Sequence, residues 1–441
     1  MRLVLLGGGG FRTPLIVSAW ADRRDALPLD ELVLHDVSLS RLQRIKAVLE
    51  DLLGAALPPI RLEVDLDAAL TGADVIFAAI RVGGAEGRVG DERQALDLGI
   101  LGQETVGAGG LSYALRTLPV MLHIARRIRV LAPDAWLLNF TNPAGMITDA
   151  LVDVLGHRVI GLCDSPIGLA RRACRTLGVD AGAVDIDYVG INHLGWLRGL
   201  RDAAGTDLLP QVVGDAARLG AMEEGRLFGA PLIQQLGSIP NEYLYFFYAQ
   251  RDLVDELRSG TTRGEVIAAD QDDFYAGTAS GDPANRWRET RRRREESYLA
   301  EARGEDERDP EDLTGGGYEH VALDLMEALT GGPPRTLIVN SPNFSAIPQL
   351  PASMIVEGPS RVDTTGAHVL AVPVALTLHQ LGLICAVRAA ERTLIEAVVT
   401  GSRRRAELAF TLHPLVGSPR IAARLVAGTI ADHPQLADVL R

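Results

Sequence analysis

Several short stretches hold residues whose types and spacing can do chemistry. Cys163-Asp164 follows the apolar run VIGL, and Asn192-His193 follows YVGI. A thiolate and an imidazole can share a divalent metal, and two protein ligands leave positions for substrate and water. On residue types alone, a small buried thiol and a core histidine account for the pair better. Gly8, Gly9 and Gly10 follow the apolar run RLVLL, and Asp36 closes a second run, ELVLH. Glycines at a strand end let a pyrophosphate approach the backbone. The next helix N-terminus adds its dipole, and a carboxylate on the second strand suits the ribose hydroxyls of NAD. NFTNPAG (139–145) sets Asn142 before a proline at another strand end, which turn chemistry also explains.

Three further stretches are rich in arginine or tyrosine. Arg81, Arg88, Arg93 and Arg116 are spread through the glycine-rich segment 81–117, which reads as a binding loop for a hydroxylated or anionic ligand. Tyr243, Tyr245 and Tyr248 lie on a helical stretch, with Arg263 beyond it. A core stripe is the plainer account of them, because a tyrosine needs a nearby cation or metal to act as a base at neutral pH. RWRETRRRREESYLAEARGE (286–305) reads as a solvated helix with i,i+4 ion pairs.

The elements that must position these residues alternate. RLVLL, ELVLHD, IRLEVDLD, ADVIFAAIRV, DAWLLN and HRVIGL read as short buried strands, with helical spacing between most of them. Ser38 or Ser40 caps the helix that ends at residue 53. This pattern predicts an α/β fold. A Rossmann-like, doubly wound parallel sheet over residues 1–165 is followed by an intimately packed α+β domain over 166–441, as in lactate and malate dehydrogenases. DIDYVGINHLGWLRGLRD (185–202) reads as an antiparallel strand pair, and RTLIVN, SMIVEGPSRV and HVLAVP as further strands. A long helical stretch follows, and 303–317 reads as an exposed loop.

Composition narrows the function. The chain has 441 residues, 47% of them hydrophobic, which is ample for two packed domains. A net charge of −13 and the lack of a basic stripe with interleaved aromatics argue against nucleic acid. The three cysteines, Cys163, Cys174 and Cys385, form no C-x-x-C pair, which fits a reduced cytoplasm. No run approaches the ~20 apolar residues of a membrane span, and the first apolar run is too short for a signal-peptide core.

Taken together these stretches resemble the family 4 glycoside hydrolases, the NAD- and divalent-metal-dependent group, and especially its 6-phospho-β-glucosidase branch. The resemblance runs nearly end to end through LVLLGGGGFRTP, IRVGGAEGRVGDE, GILGQETVGAGGLSYALRTLP, NFTNPAGMIT, VIGLCDSPIG, GINHLGW, EYLYFFY with GTTRGEV, and IPQLPASMIVEGPSRV. It implies NAD in the glycine turn (Gly8, Gly9, Gly10, Asp36) and Mn²⁺ or another divalent metal on Cys163 and His193. It implies Tyr243 as the base, activated by the metal and Arg263, and Arg88, Asn142 and Asn192 at the substrate. The implied reaction oxidises sugar carbon 3, removes the carbon-2 proton, eliminates the aglycone, adds water and restores carbon 3. This is an exception to the two-carboxylate chemistry of most glycosidases. The implied assembly is a homodimer or homotetramer acting on a sugar or phospho-sugar glycoside, with neither nucleic acid nor membrane as partner.

The sequence departs from that branch at three places. Asp164 stands where the branch has asparagine, and in α-specific members an aspartate there is the acid for the leaving group. TGGGYEHVA (314–322) and SPNFSAIPQLP (341–351) replace polar stretches of the family. An unphosphorylated, acidic or α-linked sugar is therefore the alternative substrate. A 2-hydroxy-acid dehydrogenase and a non-catalytic sensor of NAD and sugar are the alternatives from other classes. The Cys163/His193 pair argues against the first, and the retention of Tyr243 with both ligands argues against the second.

Overall fold

The computed structural model describes residues 1–276, 281–296 and 317–441, so the loop expected over 303–317 lies, save Gly317, outside the described residues. Twelve strands among the described residues form one sheet. Strands β1 (Arg2–Leu6), β2 (Glu31–His35), β3 (Ile60–Glu63), β4 (Val75–Ala78), β5 (Trp136–Asn139) and β6 (Val159–Gly161) are parallel, in the order β3-β2-β1-β4-β5-β6. This is the strand order of dinucleotide-binding sheets. The strands read as continuous apolar runs because both faces are buried. Leu3, Leu5, Phe77 and Leu138 pack on one side, and Val4, Leu6, Ile76 and Leu137 on the other. Ser38 caps the helix Leu39–Leu53, its hydroxyl accepting the Arg41 N–H at 3.4 Å.

Beyond β6 the sheet turns antiparallel. Strands β7 (Asp185–Ile191), β8 (Leu194–Arg201), β9 (Ile239–Pro240), β10 (Arg335–Pro342), β11 (Ile355–Asp363) and β12 (Gly366–Val369) complete it. Strand β10 meets β6 at Asn340 and Gly161, and β11 meets β7 at Glu357 and Gly190. The β7–β8 hairpin leaves only Asn192 and His193 in its turn. The helices Leu378–Thr400, Arg403–Leu412 and Pro419–Asp432 return to the parallel half and bury Leu394, Phe410 and Leu425 in the same core as Val4 and Ile76. No helix among the described residues is long and apolar enough to cross a membrane.

Two expectations are corrected. Segment 81–117 is not a loop: most of it lies in the helices Gly84–Asp97 and Gly107–Leu131. Several of its glycines serve close packing: a Cβ on Gly87 would stand 3.2 Å from Nε of Arg116, and one on Gly102 2.2 Å from the Glu92 carbonyl oxygen. IRLEVDLD is only half strand. The Asp65 carboxylate accepts the Ala68 N–H at 2.8 Å and starts the helix Leu66–Leu70 instead.

Candidate active site

The carboxyl ends of β1 and β4 open into a cavity of about 660 Å³ lined by Gly7, Gly10, Thr13 and Asp36. Gly7 turns the chain there with φ 83°, and a Cβ on it would lie 2.6 Å from the Ala79 carbonyl oxygen. No residue with a side chain fits that position. Sequence reasoning missed Gly7, whose signal was its place as the first glycine after β1. Gly10 lines the cavity as expected of a cofactor-binding residue, but Gly8 and Gly9 do not. The Gly8 N–H donates to the His35 carbonyl at 2.8 Å, and the Gly9 N–H to Oδ2 of Asp36 at 3.3 Å. These two glycines shape the turn. Asp36, which also accepts the Ser38 N–H at 3.0 Å, stands where a ribose hydroxyl can reach it.

A second cavity of about 670 Å³ adjoins the first, and Phe11, Arg12, Arg81, Phe140, Asn142 and Arg294 line both. Its wall brings together Cys163, Asp164, His193 and Tyr243. Arg88, Asn142 and Arg263 share that wall. Cys163 follows β6, and Asp164 stands at the N-terminus of the helix Ser165–Leu177. His193 occupies the β7–β8 turn at φ 61°, a left-handed conformation uncommon for a residue with a Cβ. Its ring lies flat on Tyr243, with centroids 3.8 Å apart and planes 8° apart. Of the three tyrosines expected on one helical stretch, only Tyr243 reaches this wall. Tyr248 instead meets Nε2 of His379 at 2.9 Å and accepts the Trp196 indole N–H at 3.3 Å.

Asn192 is placed differently from the expected sugar contact. Its carbonyl oxygen accepts the Gly145 N–H at 3.2 Å, and its amide donates to Glu357 at 3.4 Å. It braces the histidine turn against the turn that carries the cis Asn142–Pro143 bond. Glu357, absent from the sequence reading, also accepts the Asn340 amide at 2.8 Å, and burial pushes its pKa up to about 7. Its only sequence signal was a lone acid in the apolar run of β11.

Burial holds the His193 imidazole neutral, its pKa pushed down to about 3. Its Nδ1 is buried with no hydrogen-bond partner among the described residues. Burial, then Glu357 and Asp164, push the Cys163 thiol up. A neutral imidazole with an orphaned nitrogen and a buried thiol on the same wall fit the donor set of a divalent metal. Among the described residues no group of three His, Cys, Asp or Glu side chains is arranged to hold a metal. A two-ligand site is the kind that leaves positions for substrate.

Arg88 is 3% exposed and pairs with Glu92 at 2.7 Å and with Glu104 at 2.6 Å. Glu104 also pairs with Arg81. Burial alone would raise the Glu104 carboxyl, but Arg81, Arg88 and Arg263 together hold it well below the usual range. Sequence reasoning passed over Glu104 too, although it is the one acid in GILGQETVG. The charge run at 286–305 is more than a solvated face. Its described part, the helix Pro283–Glu296, buries Trp287 and sends Arg291 and Arg294 to the second cavity.

Residues 2–179 match the family 4 glycosyl hydrolases, and residues 188–416 match the C-terminal domain of that family. The chain belongs to glycosyl hydrolase family 4. A probable 6-phospho-beta-glucosidase of Bacillus subtilis is 31% identical to this family 4 chain, covering 98% of it and 96% of the relative. A 6-phospho-alpha-glucosidase from gut microorganisms, solved with NAD and glucose-6-phosphate, superposes with a TM-score of 0.84 at 26% identity and covers 100% of this chain and 99% of that one. The 6-phospho-beta glucosidase of Thermotoga maritima, solved with manganese, NAD⁺ and glucose-6-phosphate, gives 0.83 at 25% identity, covering 99% and 98%. In this family 4 hydrolase the divergent stretch SPNFSAIPQLP ends β10 at Pro342 and continues as a self-bonded loop. The Asn343 amide donates to the carbonyls of Ile347 and Leu350, each at 3.0 Å, and its Oδ1 accepts the Ile347 N–H at 2.8 Å.

Proposed function

We propose that this hydrolase cleaves a 6-phospho-β-glucoside in the cytoplasm as a homodimer or homotetramer. Residues 1–165 hold NAD and lend Arg88, Asn142, Cys163 and Asp164 to the metal and sugar site, and residues 166–441 supply the rest of that site and the contact with the neighbouring subunit. The observation that carries the proposal is the common wall of Cys163, His193 and Tyr243, joined to the dinucleotide cavity at Asn142 and Arg81. When bound, NAD would supply a reversible oxidant for sugar carbon 3, and a divalent metal such as Mn²⁺ would supply a Lewis acid beside it. Cys163 and His193 would hold that metal. Tyr243 takes the carbon-2 proton, which is acidic while carbon 3 is a ketone. Asp164 gives a proton to the departing oxygen on carbon 1. Arg88 and Arg263 serve the anionic group of the sugar, Asn142 its hydroxyls, and Asn192 acts through the histidine turn. The sugar leaves at its starting oxidation level, so NAD is not consumed.

One observation favours a second reading. Asp164 lies on the cavity wall with Cys163, and in α-specific members of the family this chain resembles, an aspartate at that position is the acid for the leaving group. Four chromogenic glucosides, α and β, each with and without a 6-phosphate, decide between the readings. Cleavage of the 6-phospho-β compound only, lost when NAD⁺ or Mn²⁺ is omitted, is the expected result. Cleavage of the α pair moves the assignment to the second reading, and cleavage independent of NAD⁺ refutes both.

The metal site has its own pH signature. His193 stays neutral far below pH 6, so the proton that must leave is the raised one on Cys163. Mn²⁺ affinity is therefore expected to rise about tenfold per pH unit between pH 6 and 8, with one proton released. Calorimetry in buffers of different ionisation enthalpy reads both quantities. A flat profile would remove the thiol from the ligand set.

A further inference from the structure

We infer that Arg294 is a phosphate-binding residue of the dinucleotide site, reaching across the cavity to the pyrophosphate from the side opposite the glycine turn. The inference rests on the NAD reading above. Arg294 belongs to the helix Pro283–Glu296, more than 270 residues from the turn it would face and outside every sequence candidate for that site. It lines the dinucleotide cavity together with Gly10, Thr13 and Tyr275, and it lies where that cavity meets the second one.

Its place is set by two anchors on the glycine turn itself. The Tyr275 hydroxyl donates to the Gly9 carbonyl at 2.5 Å, and the Trp287 indole N–H donates to the Phe11 carbonyl at 3.2 Å. These carbonyls bracket Gly10. Phe274 adds a tilted ring contact with Phe11 at 4.7 Å, and the Ala284 N–H donates to Asp51 at 3.0 Å. The helices Arg263–Ala276 and Pro283–Glu296 are thus seated on the turn by bonds to its oxygens.

Electrostatics points the same way. Burial first, and then Arg12, with Arg263 and Arg81 behind it, push the Arg294 pKa down to about 10 against the opposing pull of the Glu295 carboxylate. Arg12, Arg263 and Arg81 thus stand around Arg294 at the junction of the cavities. A pyrophosphate, which brings two negative charges to the N-terminus of the helix Thr13–Ala21, meets those guanidiniums on its other side. Arg12, over the Phe140 ring at 4.1 Å, stands at the same junction and shares the load.

The test is the affinity of the whole protein for NAD, ADP, adenosine and glucose 6-phosphate, measured by calorimetry without turnover. Arg294→Gln is expected to weaken NAD and ADP by about tenfold to a hundredfold, the range for a charge-assisted hydrogen bond, and to leave adenosine and glucose 6-phosphate unchanged. Arg294→Lys is expected to recover part of the loss, because it keeps the charge and gives up the fork. Unchanged ADP affinity in Arg294→Gln, with NAD binding intact in the wild type, overturns this inference alone. So does an equal loss for ADP and adenosine, which marks a structural role, or a loss confined to glucose 6-phosphate. A wild type that binds neither NAD nor ADP overturns the cofactor reading along with it.

Discussion

His193→Asn is expected to bring glycoside cleavage to background while leaving NAD affinity unchanged. Asparagine is the right replacement because the turn demands φ 61° there, a conformation that asparagine tolerates better than alanine. The variant therefore removes the imidazole without refolding the β7–β8 hairpin. Cys163→Ser is the partner experiment. A serine hydroxyl keeps its proton at neutral pH and is a poor ligand, so the same loss follows. Altering a residue that merely supports a metal ligand costs about ten- to a hundredfold in affinity. Removing a ligand from a two-ligand site is expected to exceed that, and Mn²⁺ titration of each variant measures it. The dinucleotide cavity is lined by neither residue, so NAD binding serves as the control. Mn²⁺-dependent cleavage surviving in both variants would sink the metal assignment.

Tyr243→Phe is the second large effect. Phenylalanine keeps the ring that lies on His193 at 3.8 Å and loses only the hydroxyl. Metal and NAD affinities are therefore expected to stay at wild-type values. The fall belongs to kcat, by about 10²–10⁴, the usual worth of a positioned general base. Steady-state kinetics at saturating Mn²⁺ and NAD⁺ reads it. A change in KM alone would make Tyr243 a binding residue, and unchanged kcat would move the base elsewhere.

The parts of this molecule that were legible in its sequence are those with local causes. RLVLL, ELVLH and WLLN are apolar on both faces and end at glycine, asparagine or aspartate, so the parallel strands and the dinucleotide turn follow from short stretches of chain. The DIDYVGIN and HLGWLRGLR pair is legible for the same reason. Cys163, His193 and Tyr243 were not legible from residue type, since a buried thiol, a core histidine and an aromatic stripe look the same. Resemblance singled them out, and the fold brings them to one wall from β6, the β7–β8 turn and the turn Glu242–Leu244. What the sequence hid depends on distant packing. Gly84, Gly87 and Gly90 look like a loop because glycine is a poor helix former, yet Gly87 lets the Arg116 side chain come close. Glu357 and Arg294 gain their meaning only when β11 and the helix Pro283–Glu296 return across the sheet.

The central claim is that carbon 2 of the sugar is deprotonated and reprotonated on the way to hydrolysis. Whichever of the four glucosides is cleaved should be cleaved in D₂O with NAD⁺ and Mn²⁺, and the released sugar examined by NMR. One deuterium at carbon 2, none at carbon 3, and no accumulation of NADH is the predicted result. A released sugar that keeps its proton at carbon 2 would mean direct displacement at carbon 1, and would contradict the roles given to Tyr243, Cys163 and His193 together.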